Sequence, residues 1–172
     1  MMDEQCSSLA LRLGEACQAT GHCVTTAESC TGGGIAAAIT EIAGSSGWFE
    51  TGLVTYANHS KTALLGVSEA LLSAHGAVSE PVVHAMVQGA CRLSGASLGV
   101  SVSGVAGPGG GSPDKPVGTV WIAWGTASDS RARCFLFEGD RHQVRLQAVR
   151  AALEGLIEEV MAPNDGLMGV KK

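Results

Sequence analysis

The sequence predicts a single α/β domain, a layered sandwich in which a mixed β-sheet is flanked by helices. Three observations carry that expectation. Short runs rich in Val and Thr alternate with longer segments of helical periodicity along most of the chain. One run, 96–103, is apolar almost throughout, as a strand buried on both faces must be. The last two strand-like runs, 117–124 and 132–137, have no helix between them, so the sheet closes on a hairpin.

The elements follow in order. A first helix covers 5–20, with Leu9, Leu13, Ala16 and Cys17 on one stripe and Gly21 as its stop. A strand over 22–27 leads into Glu28-Ser29-Cys30-Thr31-Gly32-Gly33-Gly34, a turn that opens an alanine-rich helix to about residue 42. After a loop at 44–47 comes a second strand, 51–56. Asn58 is placed as the N-cap of a short helix over 59–65, and another short helix covers 68–74. Ser79, Glu80 and Pro81 start a longer helix to residue 93, with proline in the first turn where it is tolerated. A loop of Gly and Pro, 104–116, joins the third strand to the hairpin. Leu146, Val149, Leu153, Leu156 and Val160 mark the last helix, 140–161. The domain is expected over 1–162, with a frayed tail at 163–172.

Composition narrows the function classes. The 172 residues fit one domain, and 45% hydrophobic residues supply a core of ordinary size. No apolar run approaches the roughly 18 residues of a membrane span. The N-terminus lacks a basic region followed by an apolar stretch, so no signal peptide and a cytoplasmic location are expected. A net charge of -5 without a basic block argues against a nucleic-acid partner. The six cysteines (6, 17, 23, 30, 91 and 134) form no CxxC pair and no zinc-type cluster. No metal or cofactor is expected, and most cysteines are read as reduced core hydrophobes.

The chemistry is sought beyond the carboxyl ends of the strands, where turns lead into helix N-termini. Ser29 lies there, beside amides that can stabilise an oxyanion, although Ser29 or Thr31 can equally serve as a helix cap. With Asn58 as N-cap, Lys61 falls in a first helical turn, against the helix dipole. Dipole and burial would both lower its pKa and make it a base; the alternative is a solvated surface lysine. Tyr56, at a strand end, can hydrogen-bond to a reacting group. The loop from Ser103 to Gly111 lacks the ending of a P-loop and the helix of a dinucleotide fingerprint, leaving a ligand-wrapping loop or a flexible turn. Arg141 and Arg145, one turn apart at a helix start, face either an anion such as a phosphate or the carboxylates of Glu138 and Asp140.

These residues resemble one family. The run TTAESCTGG at 25–33 is similar to the signature of the CinA C-terminal domain. The likeness continues in Gly44-Ser45-Ser46 with Phe49, in GLVTYAN at 52–58 with Lys61, and in Leu65-Gly66-Val67. It extends through HGAVSE at 75–80, SGVAGP at 103–108 and KPVGTV at 115–120. Ser103 and Val105 stand where Thr and Ile are frequent. The resemblance implies a metal-free serine/lysine amidohydrolase acting on nicotinamide mononucleotide in pyridine nucleotide salvage, as the family's stand-alone members do. It implies Ser29 as nucleophile, Lys61 as base and Tyr56 as an assistant in the proton path. Backbone amides near Thr31 to Gly33 would hold the oxyanion. Thr31, Gly32, Gly33, Asn58, Ser103, Gly107 and Arg145, with Arg141, would line the substrate site. A homo-oligomer, in its simplest form a dimer, is also implied. Cys30 and His59 stand as a rival nucleophile and base, and a non-catalytic nucleotide-binding module linked to competence or DNA damage is the competing class.

Overall fold

A computed structural model describes residues 3–163; the tail expected from 163 lies outside the described residues except for its first position. The strands are β1 (Val24–Glu28), β2 (Phe49–Val54), β3 (Leu98–Gly104), β4 (Thr119–Gly125) and β5 (Ser130–Leu136). The helices are α1 (Glu4–Thr20), α2 (Gly34–Thr40), α3 (Asn58–Leu65), α4 (Glu69–His75), α5 (Glu80–Ser94) and α6 (Arg141–Met161). The sheet order is β2-β1-β3-β4-β5. β1 runs parallel to β2 and β3, and β4 and β5 form the antiparallel hairpin. The expected mixed sheet is therefore present as one layer between two layers of helices.

Strand alternation sorts the core into two faces. Val24, Val100, Val102 and Ile122 face Leu9 and Leu13 of α1, Ile35 and Ile39 of α2, and Val144, Leu153 and Leu156 of α6. On the other face Ala27 and Ala123 meet Val82, Val83, Met86 and Val87 of α5, with Leu65 and Leu72 behind them. Fully buried sheet residues on that second face include Ala27, Ser101 and Ala123, all small, and the Ser101 hydroxyl donates to the Val83 carbonyl at 2.6 Å. Helix α5 consequently lies close on the sheet.

The central position of β1 sets the site. The chain leaves β1 through α2 toward β2 on one side, and enters β3 through α5 on the other. The connections diverge at the carboxyl end of β1, the crevice where open α/β sheets bind ligands. Ser29 is the first residue past that end.

Several boundaries differ from the sequence reading: β1 runs from Val24 to Glu28, β5 starts at Ser130, and two further shifts bear on the site. Strand β2 starts at Phe49, because Phe49 is buried and pairs with Val24, and it stops at Val54, leaving Tyr56 beyond the strand. Helix α3 begins one residue early: Ala57 is the N-cap (φ -99°, ψ 153°), so Asn58 is helical and caps nothing.

Helix α5 also holds α3 in place, through backbone contact. A Cβ at Gly89 would stand 1.9 Å from the Leu65 carbonyl oxygen at the end of α3. Gly89→Ala must push the two helices apart and is expected to cost about 1–3 kcal/mol, as overpacking does. A urea melt should show a lower midpoint, and a midpoint equal to the parent's would mean that the helices are not in contact there.

Candidate active site

The turn after β1 is built by hydrogen bonds to its neighbours. The Ser29 N–H donates to the Val102 carbonyl of β3 at 3.0 Å, and the Gly32 N–H donates to the Ser29 carbonyl at 2.9 Å. Gly32 (φ 59°) and Gly33 (φ 99°) both lie in the left-handed region, where a side chain would be strained. Gly33 is the N-cap of α2 and offers no side chain to the helix amides.

Glu28 takes that role, and neither Ser29 nor Thr31 is the cap. The wholly buried Glu28 carboxylate accepts from the amides of Ile35 and Ala36, each at 2.9 Å, and from the Thr31 hydroxyl at 2.5 Å. Burial pushes the Glu28 carboxyl up from the usual range, while the Thr31 hydroxyl and these amides pull it back. Sequence reasoning placed Glu28 in the turn and gave it no role; the structure makes it the last residue of β1, with its carboxyl folded back under α2. The available signal was an acid just before a glycine turn whose N-cap position carries no capping side chain.

Lys61 comes from the first turn of α3 and is only 1% exposed. Its Nζ donates to the Thr55 carbonyl at 2.8 Å and to Ser29 Oγ at 3.1 Å. Among the described residues no carboxylate pairs with it. Burial lowers its pKa from the ordinary lysine value. The β1–β2 register aids this placement, because the Thr55 N–H donates to the Glu28 carbonyl at 2.8 Å.

A cavity of about 360 Å³ opens over this pair, lined by Ser29, Cys30, Lys61, Tyr56, Asn58 and Arg141, with Ala77, Val78 and residues from Gly104 to Gly110 as walls. Gly107 lines it as expected, and its carbonyl accepts from Arg141 Nη1 at 2.7 Å. The hydroxyl of Tyr56, 60% exposed, accepts from Arg141 Nη2 at 3.0 Å. Tyr56 thus pairs with Arg141 at the rim, with no hydrogen bond to Ser29 or Lys61 among the described residues. Thr31, Gly32 and Gly33 form the turn beneath the cavity, and Ser103 is buried within β3 opposite Trp121; none of the four lines the wall.

Arg145 also stays out of the cavity. Its Nε donates to the Cys30 carbonyl at 3.1 Å and its Nη2 to the Thr31 carbonyl at 3.2 Å. Among the described residues neither arginine is paired with Glu138 or Asp140, and Asp140 caps α6 in a capping box with Gln143. The rivals fare poorly in geometry: the Cys30 thiol is buried and pushed up to about 11 by that burial and by Glu28, and His59 is exposed, away from the wall. Among the described residues no three His, Cys, Asp or Glu side chains gather as metal ligands would, and no helix is long and apolar enough to cross a membrane.

Known proteins share this arrangement of chain. The family model of the CinA C-terminal domain matches residues 6–160. Nicotinamide-nucleotide amidohydrolase PncC of Pseudomonas putida is 59% identical over 152 residues, which cover 88% of this chain and 95% of that protein. The protein of the same name from Escherichia coli strain K12 is 51% identical over 164 residues, covering 94% and 98%. The crystal structure of the competence/damage inducible protein CihA from Agrobacterium tumefaciens superposes with a TM-score of 0.88 at 43% identity, covering 91% of this chain and 96% of that one.

Glu28→Gln replaces one acceptor oxygen with an amide donor that faces the donors at the head of α2. The expected loss is about 1–3 kcal/mol, read as a lower urea midpoint with an unchanged slope. An unmoved midpoint would show that the carboxylate does not hold the helix.

Proposed function

The chain belongs to the CinA C-terminal domain family, and from that premise we propose that it is a nicotinamide-nucleotide amidase. The reaction is hydrolysis of the carboxamide of nicotinamide mononucleotide to nicotinate mononucleotide and ammonia. The observation that carries the reading is a buried lysine amine, with no carboxylate partner among the described residues, 3.1 Å from a serine hydroxyl in the floor of a cavity. A purely ligand-binding module has no use for such a pair. Because the reaction turns the amide form of the mononucleotide into the acid form, we place it in cytoplasmic pyridine nucleotide salvage.

The steps follow from the geometry. Neutral Lys61 takes the Ser29 proton as Oγ attacks the carboxamide carbon. The Thr55 carbonyl holds one N–H of the amine and leaves its lone pair to Ser29. The resulting Lys61 ammonium returns its proton to the leaving nitrogen, and ammonia departs from the tetrahedral intermediate. Lys61 then deprotonates a water, which hydrolyses the acyl-enzyme and restores Ser29. An unperturbed lysine would be neutral in only about one molecule in 10³ near pH 7.5. Each unit by which burial lowers the pKa recovers about tenfold of the active form. Arg141 is the cationic side chain in the cavity wall and takes the phosphate, while Asn58, freed from capping, reaches substrate as a polar contact.

Ammonia release from the mononucleotide tests the reading directly. Ser29→Ala should abolish it and keep mononucleotide binding, whereas Cys30→Ala should retain activity. Lys61→Arg keeps a charge but cannot deprotonate usefully, and should lose about 10²–10⁴-fold. Since the lowered pKa belongs to a group active when neutral, kcat/KM should rise with pH and level off below the ordinary lysine value of about 10.4. An active arginine variant would make Lys61 a fixed charge and leave the base unassigned.

Arg141→Ala should raise KM for the mononucleotide far more than for the riboside, which lacks the phosphate. Equal effects on the two substrates would reduce Arg141 to a rim contact with Tyr56 and Gly107.

A further inference from the structure

Backbone groups of the turn after Ser29 are nearly all committed. The Ser29 carbonyl accepts from Gly32 N–H, and the Thr31 carbonyl accepts from Gly34 N–H at 3.0 Å. Arg145 takes the Cys30 carbonyl and shares the Thr31 carbonyl. Among the described residues the N–H groups of Cys30 and Thr31 donate to nothing. Gly32 N–H, within the stretch expected to hold the oxyanion, is already spent.

Arg145 stands on α6, on the face of the sheet that carries α1 and α2, and does not line the cavity. Lys61 and Ala77 reach the cavity from the opposite face, while Arg141, one turn before Arg145 on α6, reaches it at the rim. In a planar trans peptide the N–H points opposite to the C=O that precedes it. A guanidinium holding the Cys30 carbonyl from beneath the turn therefore leaves the Thr31 N–H pointing away from Arg145, which itself lies outside the cavity wall. The contact is close: a Cβ at Gly32 would lie 3.2 Å from Arg145 Nη2. Its charge also polarises the peptide it grips and makes the opposite N–H a stronger donor.

We propose that Arg145 is a positioning residue for the hydrolysis: by holding the Cys30 and Thr31 carbonyls it aims the Thr31 N–H at the oxyanion formed on the substrate. This rests on the amidase reading of Ser29. It gives Arg145 a role in the chemical step in place of a phosphate contact.

The experiment compares the parent protein with Arg145→Ala and Arg145→Lys, using nicotinamide mononucleotide and nicotinamide riboside, with melting curves as a check on folding. In Arg145→Ala, kcat should fall by about 10–10²-fold, less than or equal to the loss of an oxyanion donor itself. KM should stay near the parent's, and both substrates should lose equally. Arg145→Lys should recover part of kcat through its one ammonium, and low-millimolar guanidinium ion should restore kcat in Arg145→Ala but not in the parent. A selective rise in KM for the mononucleotide at unchanged kcat would overturn the proposal, as would a fall in kcat that neither lysine nor guanidinium restores. Absence of ammonia release by the parent itself would instead overturn the amidase reading.

Discussion

The site depends on a lysine amine that is buried with no counter-charge among the described residues. Removing an ammonium from water costs several kcal/mol unless a carboxylate repays it. Around Lys61 the partners are instead a neutral carbonyl, from Thr55, and the Ser29 hydroxyl. Both can hydrogen-bond to a neutral amine, and neither offers an anion for the charged one. The environment therefore favours the neutral amine, the form that the proposed base requires, next to the Ser29 hydroxyl.

Keeping the amine there demands rigidity from distant parts of the fold. Helix α3 is only eight residues long and could not stand alone. It is held from behind where Gly89 of α5 lets the Leu65 carbonyl approach, and from the front by the β1–β2 pairing that fixes Thr55. The Ser29 half is held separately, by Glu28 at the head of α2 and by Arg145 from α6. Two layers on opposite faces of the sheet thus each own one member of the pair, and the central strand β1 sets the distance between them.

Much of this could be read from residues alone. The alternation of strands and helices pointed to the layers, and the apolar run at 96–103 placed β3, observed over Leu98–Gly104, in the interior. Ser29 and Lys61 were found as turn and first-turn residues. What escaped was whatever depends on which side chain crosses a turn. Glu28 read as the first residue of a turn, and only the folding of α2 over the end of β1 makes it that helix's cap. Asn58 looked like a cap because its type suits one, but the helix gained its first turn from the Ala57 carbonyl, to which Lys61 N–H donates at 3.3 Å. Arg141 and Arg145 were equivalent in sequence, one turn apart. Only the tertiary fold sends the first to Gly107 and Tyr56, and the second to the underside of the turn.

The burial of Lys61 also bears on stability, with a definite sign. The folded pKa of Lys61 is lowered, so between that value and the ordinary one the unfolded chain binds a proton that the folded chain does not. Above the ordinary value both forms are neutral at this position and the site costs nothing through protonation. As pH falls below it, stability is lost progressively, and the loss is complete below the folded value. A pH at which the amine is neutral when folded and charged when unfolded lies inside that window, so the proposed catalytic role and a stability penalty would share one cause. The offset has to come from elsewhere, and the two apolar clusters on either face of the sheet are the places able to supply it. Gly89 of α5 thus does more than pack: by letting the Leu65 carbonyl approach, it holds the short helix that carries Lys61, with no carboxylate partner among the described residues, into the interior.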